Sequence, residues 1–126
     1  MSLVVWRGVA VLLCVALLSC ARGPQSAPAG AGDDAPKLLG DTGGISWRVT
    51  TQASEAQAYF DQGLFLTYGF NHEAAVRSFA AAEQLDPGCA MCAWGVALAS
   101  GPNINWPMGP DAGARAYAAA QRASGL

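Results

Sequence analysis

Two cysteines separated by two residues, Cys89 and Cys92, have the spacing best suited to chemistry in this sequence. Cys-x-x-Cys serves covalent haem attachment, thiol–disulfide exchange and zinc binding. Haem attachment requires a histidine directly after the second cysteine, and Ala93 stands there instead. A structural zinc ion requires four ligands, and the single histidine of the chain, His72, is the only other soft ligand to consider. A metal or thiol-redox site built on the cysteine pair, with His72 as a further ligand, therefore stays open as an alternative.

The N-terminal sequence predicts the compartment in which these cysteines lie. Residues 1–19 have the pattern of a lipoprotein-type signal peptide, because their apolar run at 8–18 is too short to span a bilayer as a helix. Residues 17–20, Leu-Leu-Ser-Cys, resemble a bacterial lipobox, which implies cleavage before Cys20 and lipidation of its side chain. We therefore expect an exported protein, anchored by acyl chains to a membrane of the bacterial envelope on its periplasmic side.

Export places the remaining cysteines in an oxidising environment. Cys14 is removed with the signal peptide and Cys20 is lipidated, which leaves Cys89 and Cys92 as one pair. Three interpretations of this pair stay open: a local disulfide, reduced cysteines that pack as small apolar residues, and a metal or redox site. The compartment favours a structural role. A disulfide that closes so short a loop would add less than the usual stabilisation of about 2–4 kcal/mol.

Composition divides the rest of the chain into a tether and one small domain. Residues 20–44 are rich in Ala, Gly and Pro and poor in bulky apolar side chains, which predicts a disordered tether. Residues 45–126 are left for the domain. The net charge of −2 includes no basic stripe, so we expect no nucleic-acid partner. Because the chain lacks a Ser/His/Asp set, a carboxylate pair and a phosphate loop, we expect no catalytic residue, no metal and no cofactor.

Apolar residues recur every three or four positions from Ser54 onward, which is the spacing of amphipathic helices. This spacing predicts an all-α domain of four helices. The first runs from Ser54 to an apolar position at Phe70, the second from Asn71 to Leu85, the third through residues 89–99, and the fourth from Asp111 to about Ser124.

The helix ends carry recognisable capping residues. Ser54 and Gln57 have the spacing of a capping box at the start of the first helix. Asn71 is suited to cap the second helix, which would leave His72 exposed in its first turn. Asp86 and Pro87 end the second helix and favour a new start, with Asp86 as the cap and Pro87 in the first position.

The first two predicted helices share a spacing of small and aromatic residues. A small residue lies in the first helix, A-x3-F-x2-A in the second, and a proline closes the pair. Seven positions carry this pattern: Tyr59, Gly63, Leu66, Ala75, Phe79, Ala82 and Pro87. The next two helices keep the spacing only at Gly113, Tyr117 and Ala120, after an insertion over residues 101–110. The pattern resembles the signature of the tetratricopeptide repeat (TPR) family, which implies about two repeats of TPR-like helical hairpins.

The stretch from Tyr59 to Asn105 resembles, more narrowly, the start of larger bacterial TPR proteins that are exported or lipid-anchored. Its segments FNH, LDP, WG and GPNIN recur in those proteins. The resemblance implies that this chain is the N-terminal part of a longer array, truncated at its C-terminus. Because about three repeats are normally needed to cover a solenoid's apolar faces, we expect the fourth helix to be poorly covered and to fray.

The TPR resemblance implies a non-enzymatic scaffold that binds a protein or peptide partner. Aromatic side chains offer contact area at low entropic cost, and amides bond a peptide backbone. The competing interpretation is that the asparagines shape the loop at 101–110 and that its tryptophan packs on the chain's own helices. The partner-binding candidates are Tyr59, Phe65 and Tyr68 in the first helix and Asn103, Asn105 and Trp106 in the loop.

Overall fold

The computed structural model describes residues 36–126. They form four helices: α1 (Ser54–Tyr68), α2 (His72–Leu85), α3 (Ala90–Ser100) and α4 (Pro110–Ser124). Each helix packs on the next along the chain, so that two helical hairpins, α1–α2 and α3–α4, are stacked through α2 and α3. The predicted fold class, all-α helical hairpins with four helices, is confirmed for this part of the chain.

The predicted signal peptide, the lipidation site Cys20 and residues 20–35 of the tether lie outside the described residues. Between residues 36 and 126, none of the helices is both long enough and apolar enough to cross a membrane.

Phe79 of α2 lies at the centre of the core and is fully buried. A Cβ added at Gly63 of α1 or at Gly95 of α3 would lie 2.6 Å from an atom of the Phe79 ring. Ordinary carbon–carbon contacts are about 3.5–4.0 Å, so only glycine lets both helices approach the ring this closely. Phe60 packs on the same ring, with centroids 5.4 Å apart. Phe79 thus joins the two hairpins.

The other positions of the repeat signature lie where close packing or a turn is needed. Tyr59, Ala75 and Ala82 are buried in the core. Leu66 is partly buried and packs against it. Pro87 lies in the turn between α2 and α3. The structure therefore resembles a helical repeat both in the order of its helices and in the way they pack.

The predicted capping box at the start of α1 is wrong, although the cap of α2 is confirmed. Ala53 is the N-cap of α1 and makes no side-chain hydrogen bond to it. The Gln57 amide instead bonds the backbone of the preceding segment, so it is not free to cap. At α2, the Asn71 side chain accepts a hydrogen bond from the Ala74 N–H at 3.4 Å.

The predicted cap of α3 is also wrong. Cys89 is its N-cap and accepts a hydrogen bond from the Cys92 N–H through Sγ. The Asp86 carboxylate is engaged elsewhere, because it accepts from the Gly88 N–H and from the Thr51 hydroxyl. Asp86 therefore closes the turn after α2, and α3 begins four residues later.

The segment before α1 packs on the hairpins without forming a helix. Leu38, Ile45 and Val49 contact the core, and the Leu39 N–H donates to Gln62 Oε1 at 2.6 Å. Residues 36–44 fall within the predicted tether, so the contacts of the domain extend upstream of residue 45. We call residues 37–49 the strap.

Helix α4 is the least covered of the four. Ala119 is its one buried residue, and Tyr117 is exposed. An ion pair ties α4 to α2, because Arg122 Nε and Nη2 donate to the two carboxylate oxygens of Glu83 at 2.6 and 3.0 Å. The hydrogen bond to Glu83 raises the pKa of Arg122 above its usual value.

Candidate functional site

An open groove of about 940 Å³ lies where the two hairpins meet the connecting loop. Its walls are formed by the end of the α1–α2 turn, the first turns of α2, the end of α3, the loop at 101–109 and the start of α4. The groove therefore collects residues from three helices and from the insertion that interrupts the repeat pattern.

Polar atoms without partners lie in the wall of this groove. The Ser100 hydroxyl and both ring nitrogens of His72 are buried and have no hydrogen-bond partner among residues 36–126. Ser100 is only 6% exposed. Leaving such an atom unpaired costs about 1–3 kcal/mol, and unpaired buried polar atoms are rare in folded proteins. The groove wall thus contains hydrogen-bonding groups that the described part of the chain does not satisfy.

The prediction that His72 is exposed is wrong. His72 is the first residue of α2, as expected, but it is half-buried. Its ring meets the edge of the Phe70 ring at a centroid distance of 6.3 Å. The Phe70 ring on the α1–α2 turn covers part of the His72 side chain.

Phe70 is held in a left-handed backbone conformation, with φ 59°. The Asn71 N–H donates to Leu66 O at 2.8 Å and the Phe70 N–H to Thr67 O at 3.1 Å, which closes α1 with a Schellman motif. Glycine usually occupies the left-handed position of this motif, and another residue there costs about 1–2 kcal/mol. The Phe70 side chain is 60% exposed, so burial does not offset this strain. Strain of this kind is concentrated at functional sites.

The loop at 101–109 presents apolar side chains to solvent. Asn103 and Trp106 exchange two backbone hydrogen bonds, and Asn103 Oδ1 also accepts from the Asn105 N–H at 3.0 Å. The Asn103 side chain therefore shapes the turn, as the competing interpretation expected. Trp106 does not pack on the helices, since it is 72% exposed, and Ile104 beside it is more exposed still.

The structure separates the two sets of partner-binding candidates. Asn103, Asn105 and Trp106 line the groove. In α1, Tyr59 is buried and so offers no surface to a partner, Phe65 is half-buried, and Tyr68 is exposed at the helix end. None of these three lines the groove.

Sequence reasoning missed Phe70 as a member of this site and Ile104 as an exposed apolar residue between two members of it. Periodicity assigned Phe70 to the apolar face of the first helix, but α1 ends at Tyr68. A phenylalanine directly after Gly69 at a helix end was the signal that could have identified it. For Ile104, the signal was a large apolar residue between two turn-forming asparagines.

The cysteine pair lies away from the groove. Cys89 and Cys92 form a disulfide with an Sγ–Sγ distance of 2.06 Å, and both residues are fully buried at the start of α3. Within residues 36–126, no three His, Cys, Asp or Glu side chains are grouped so as to hold a metal ion. His72 does not join the cysteines in such a group.

No protein-family model, curated protein or solved structure matches this chain. The function of the groove is therefore inferred from its own residues.

Proposed function

We propose that this chain is a non-enzymatic, TPR-like scaffold that binds a protein or peptide partner in the groove at the bacterial cell envelope. The observation that carries the proposal is the pair of exposed aromatic side chains, Phe70 and Trp106, on one groove. Large aromatic residues are enriched at the energetic centres of protein interfaces, because they bury much apolar area with little loss of rotamer freedom.

The groove also offers polar groups to a partner. A polypeptide has hydrogen-bond donors and acceptors along its backbone, and the exposed amide of Asn105, which lines the groove, can pair with both. Binding there would also cover Ile104 and Trp106. A partner therefore gains both apolar area and hydrogen bonds at this place.

Two segments of the proposed family resemblance meet at the groove. Phe70, Asn71 and His72 form the FNH segment, and the GPNIN segment at 101–105 forms the facing loop. Nearly thirty positions separate them in sequence. Their meeting on one surface supports a shared role in binding.

The envelope location and the membrane anchor rest on the predicted signal peptide and on lipidation of Cys20. The alternative function, metal binding or thiol exchange at Cys89 and Cys92, has less support, because both side chains are buried in a disulfide away from the groove.

Capture of partners by immobilised full-length chain, from an envelope extract, tests the proposal. The informative variant is Phe70→Gly. It removes an exposed aromatic and also relieves the left-handed strain, so we expect it to raise the free energy of unfolding by about 1 kcal/mol while it weakens capture. Trp106→Ala should weaken capture of the same protein.

Tyr68→Ala is the matched control, because Tyr68 is an equally exposed aromatic outside the groove. Quantitative mass spectrometry of the captured proteins measures the effect. If Phe70→Gly and Trp106→Ala capture the same proteins in the same amounts as the unmodified chain, the groove is not the binding site.

A further inference from the structure

The groove is separate from the surface that the strap covers. No residue of the strap lines it, and the exposed side chains of Phe70, Trp106 and Met108 do. Polypeptide segments bind to such surfaces in three common ways: as an added β-strand, as an amphipathic α-helix or as a polyproline II helix. The residues of the groove favour one of these three.

The loop of the groove offers no edge for an added β-strand. Such a strand requires a row of unpaired backbone groups. Among residues 36–126, the only β-bridge joins Asn103 and Trp106, and the N–H of each donates to the C=O of the other, at 3.1 and 3.2 Å. Pro107 and Pro110 follow in the loop and at the start of α4, and proline has no N–H to donate.

The charges of the groove balance one another. Apart from His72, its charged side chains are Glu73 and Arg77 on α2 and Asp111 and Arg115 on α4. Each helix thus contributes one acid and one base four positions apart, and Glu73 Oε1 lies 3.3 Å from Arg77 Nη1. A strongly acidic or basic segment gains no net attraction from such a surface, because each charge it meets has its opposite one helical turn away. The segment that fits the groove is therefore uncharged.

Exposed N–H donors lie beside the aromatic side chains. The indole N–H of Trp106 and the side-chain amide of Asn105 belong to exposed residues that line the groove. An α-helix pairs its own backbone N–H and C=O groups, so it has few acceptors for these donors. A polyproline II helix has no internal hydrogen bonds, so its C=O groups stay free to accept.

We propose that the groove binds an uncharged, proline-rich segment of the partner in the polyproline II conformation. The rings of Phe70 and Trp106 pack against its prolines, while Asn105 and the Trp106 indole donate to its C=O groups. Because a polyproline II segment is stiff before it binds, it loses little conformational entropy in an open groove. This inference rests on the proposed function for the existence of a partner and adds the chemistry of the segment that is bound.

The test is fluorescence polarisation of a labelled peptide, four repeats of Ala-Pro-Pro, mixed with the full-length chain. Four repeats of Ala-Gln-Gln are the matched probe, because this peptide is also uncharged but is free to form an α-helix. We expect the proline peptide to bind at least about tenfold more tightly than the glutamine peptide. Its affinity should change less than about twofold between 0.05 and 0.5 M salt, because the charges of the groove balance.

Variants show whether the peptide binds in the groove. Trp106→Ala and Phe70→Gly should each weaken binding of the proline peptide at least about tenfold, as is usual for a central aromatic side chain of an interface. Trp106→Phe keeps a ring but removes the indole N–H, so its affinity should be intermediate. Tyr68→Ala is the control, because Tyr68 is exposed and does not line the groove. Circular dichroism checks that each variant keeps its helix content.

Equal binding of the two peptides, or binding of the proline peptide that salt weakens strongly, would overturn the inference. A dimer of the chain that Trp106→Ala dissociates would also overturn it, since a second copy would then occupy the groove. Capture from the envelope extract separates the two proposals. A protein whose capture depends on Phe70 and Trp106 but which the proline peptide does not displace contradicts this inference alone. Peptide binding without any captured protein contradicts the proposed function alone.

Discussion

Substitution of Gly95 by alanine tests the packing on which the stacking of the two hairpins depends. The new Cβ would lie 2.6 Å from Phe79 Cε1, about 1 Å closer than an ordinary carbon–carbon contact. The ring cannot move away, because Gly63 packs against it on the α1 side, where an added Cβ would also lie 2.6 Å from the ring. We therefore expect overpacking to lower the free energy of unfolding by about 3 kcal/mol, the upper end of the usual range. The higher helix propensity of alanine offsets about 1 kcal/mol of this, which leaves a net loss of about 2 kcal/mol.

The assay is thermal and urea unfolding followed by circular dichroism. For a domain of this size, a loss of about 2 kcal/mol lowers Tm by on the order of 10 °C. Gly113→Ala in α4 is the matched control, because its Cβ would meet only the Met108 sulfur, at 3.1 Å, at the end of a partly exposed side chain. We expect this control to gain up to about 1 kcal/mol.

A second variant shows whether the loss comes from the contact itself. Phe79→Leu makes room beside position 95, so Gly95→Ala should cost less in that background, with a coupling of about 1 kcal/mol or more. If Gly95→Ala is as stable as Gly113→Ala, or if its cost is the same with leucine at position 79, the close approach of α1 and α3 to the Phe79 ring is refuted.

Three further predictions follow from the packing. Reduction of the Cys89–Cys92 disulfide should lower the free energy of unfolding in urea by less than about 2 kcal/mol, since the bridge closes a loop of sequence separation 3; a loss of about 4 kcal/mol would contradict the entropic account. Amide hydrogen exchange should be slower in α2, which has six buried residues, than in α4, which has one, and equal protection would be a contrary result. Arg122→Ala should cost less than about 1 kcal/mol, and less again in 1 M salt, because the pair with Glu83 is partly exposed; a loss that salt does not reduce would show a contribution beyond charge.

Local patterns predicted the helices and much of their packing. Helical periodicity depends on neighbouring residues alone, and so does the preference of Asn71 for a helix start, so both could be predicted without tertiary information. Gly63 and Phe79 were identified through their spacing, because small residues and large residues must alternate where helices pack closely.

Features that depend on contacts between residues far apart in the sequence were not predicted. The Gln57 amide was expected to cap α1, but it bonds Val49 and Trp47 instead, and nothing in the local sequence shows which competitor wins. The left-handed Phe70 was missed because Gly69, the residue suited to that conformation, lies one position earlier. The groove itself depends on how the loop at 101–109 lies against α2, which periodicity does not describe.

Photo-cross-linking from position 104 tests the binding function most directly. Ile104 is 89% exposed beside the groove, and a photoreactive phenylalanine analogue there leaves Phe70 and Trp106 unchanged. The same analogue at Gln84, an exposed position of α2 that does not line the groove, is the control. We predict a covalent adduct to one envelope protein from position 104, lost with Phe70→Gly, and no such adduct from position 84. Absence of an adduct from position 104, or equal adducts from both positions, would contradict binding at the groove.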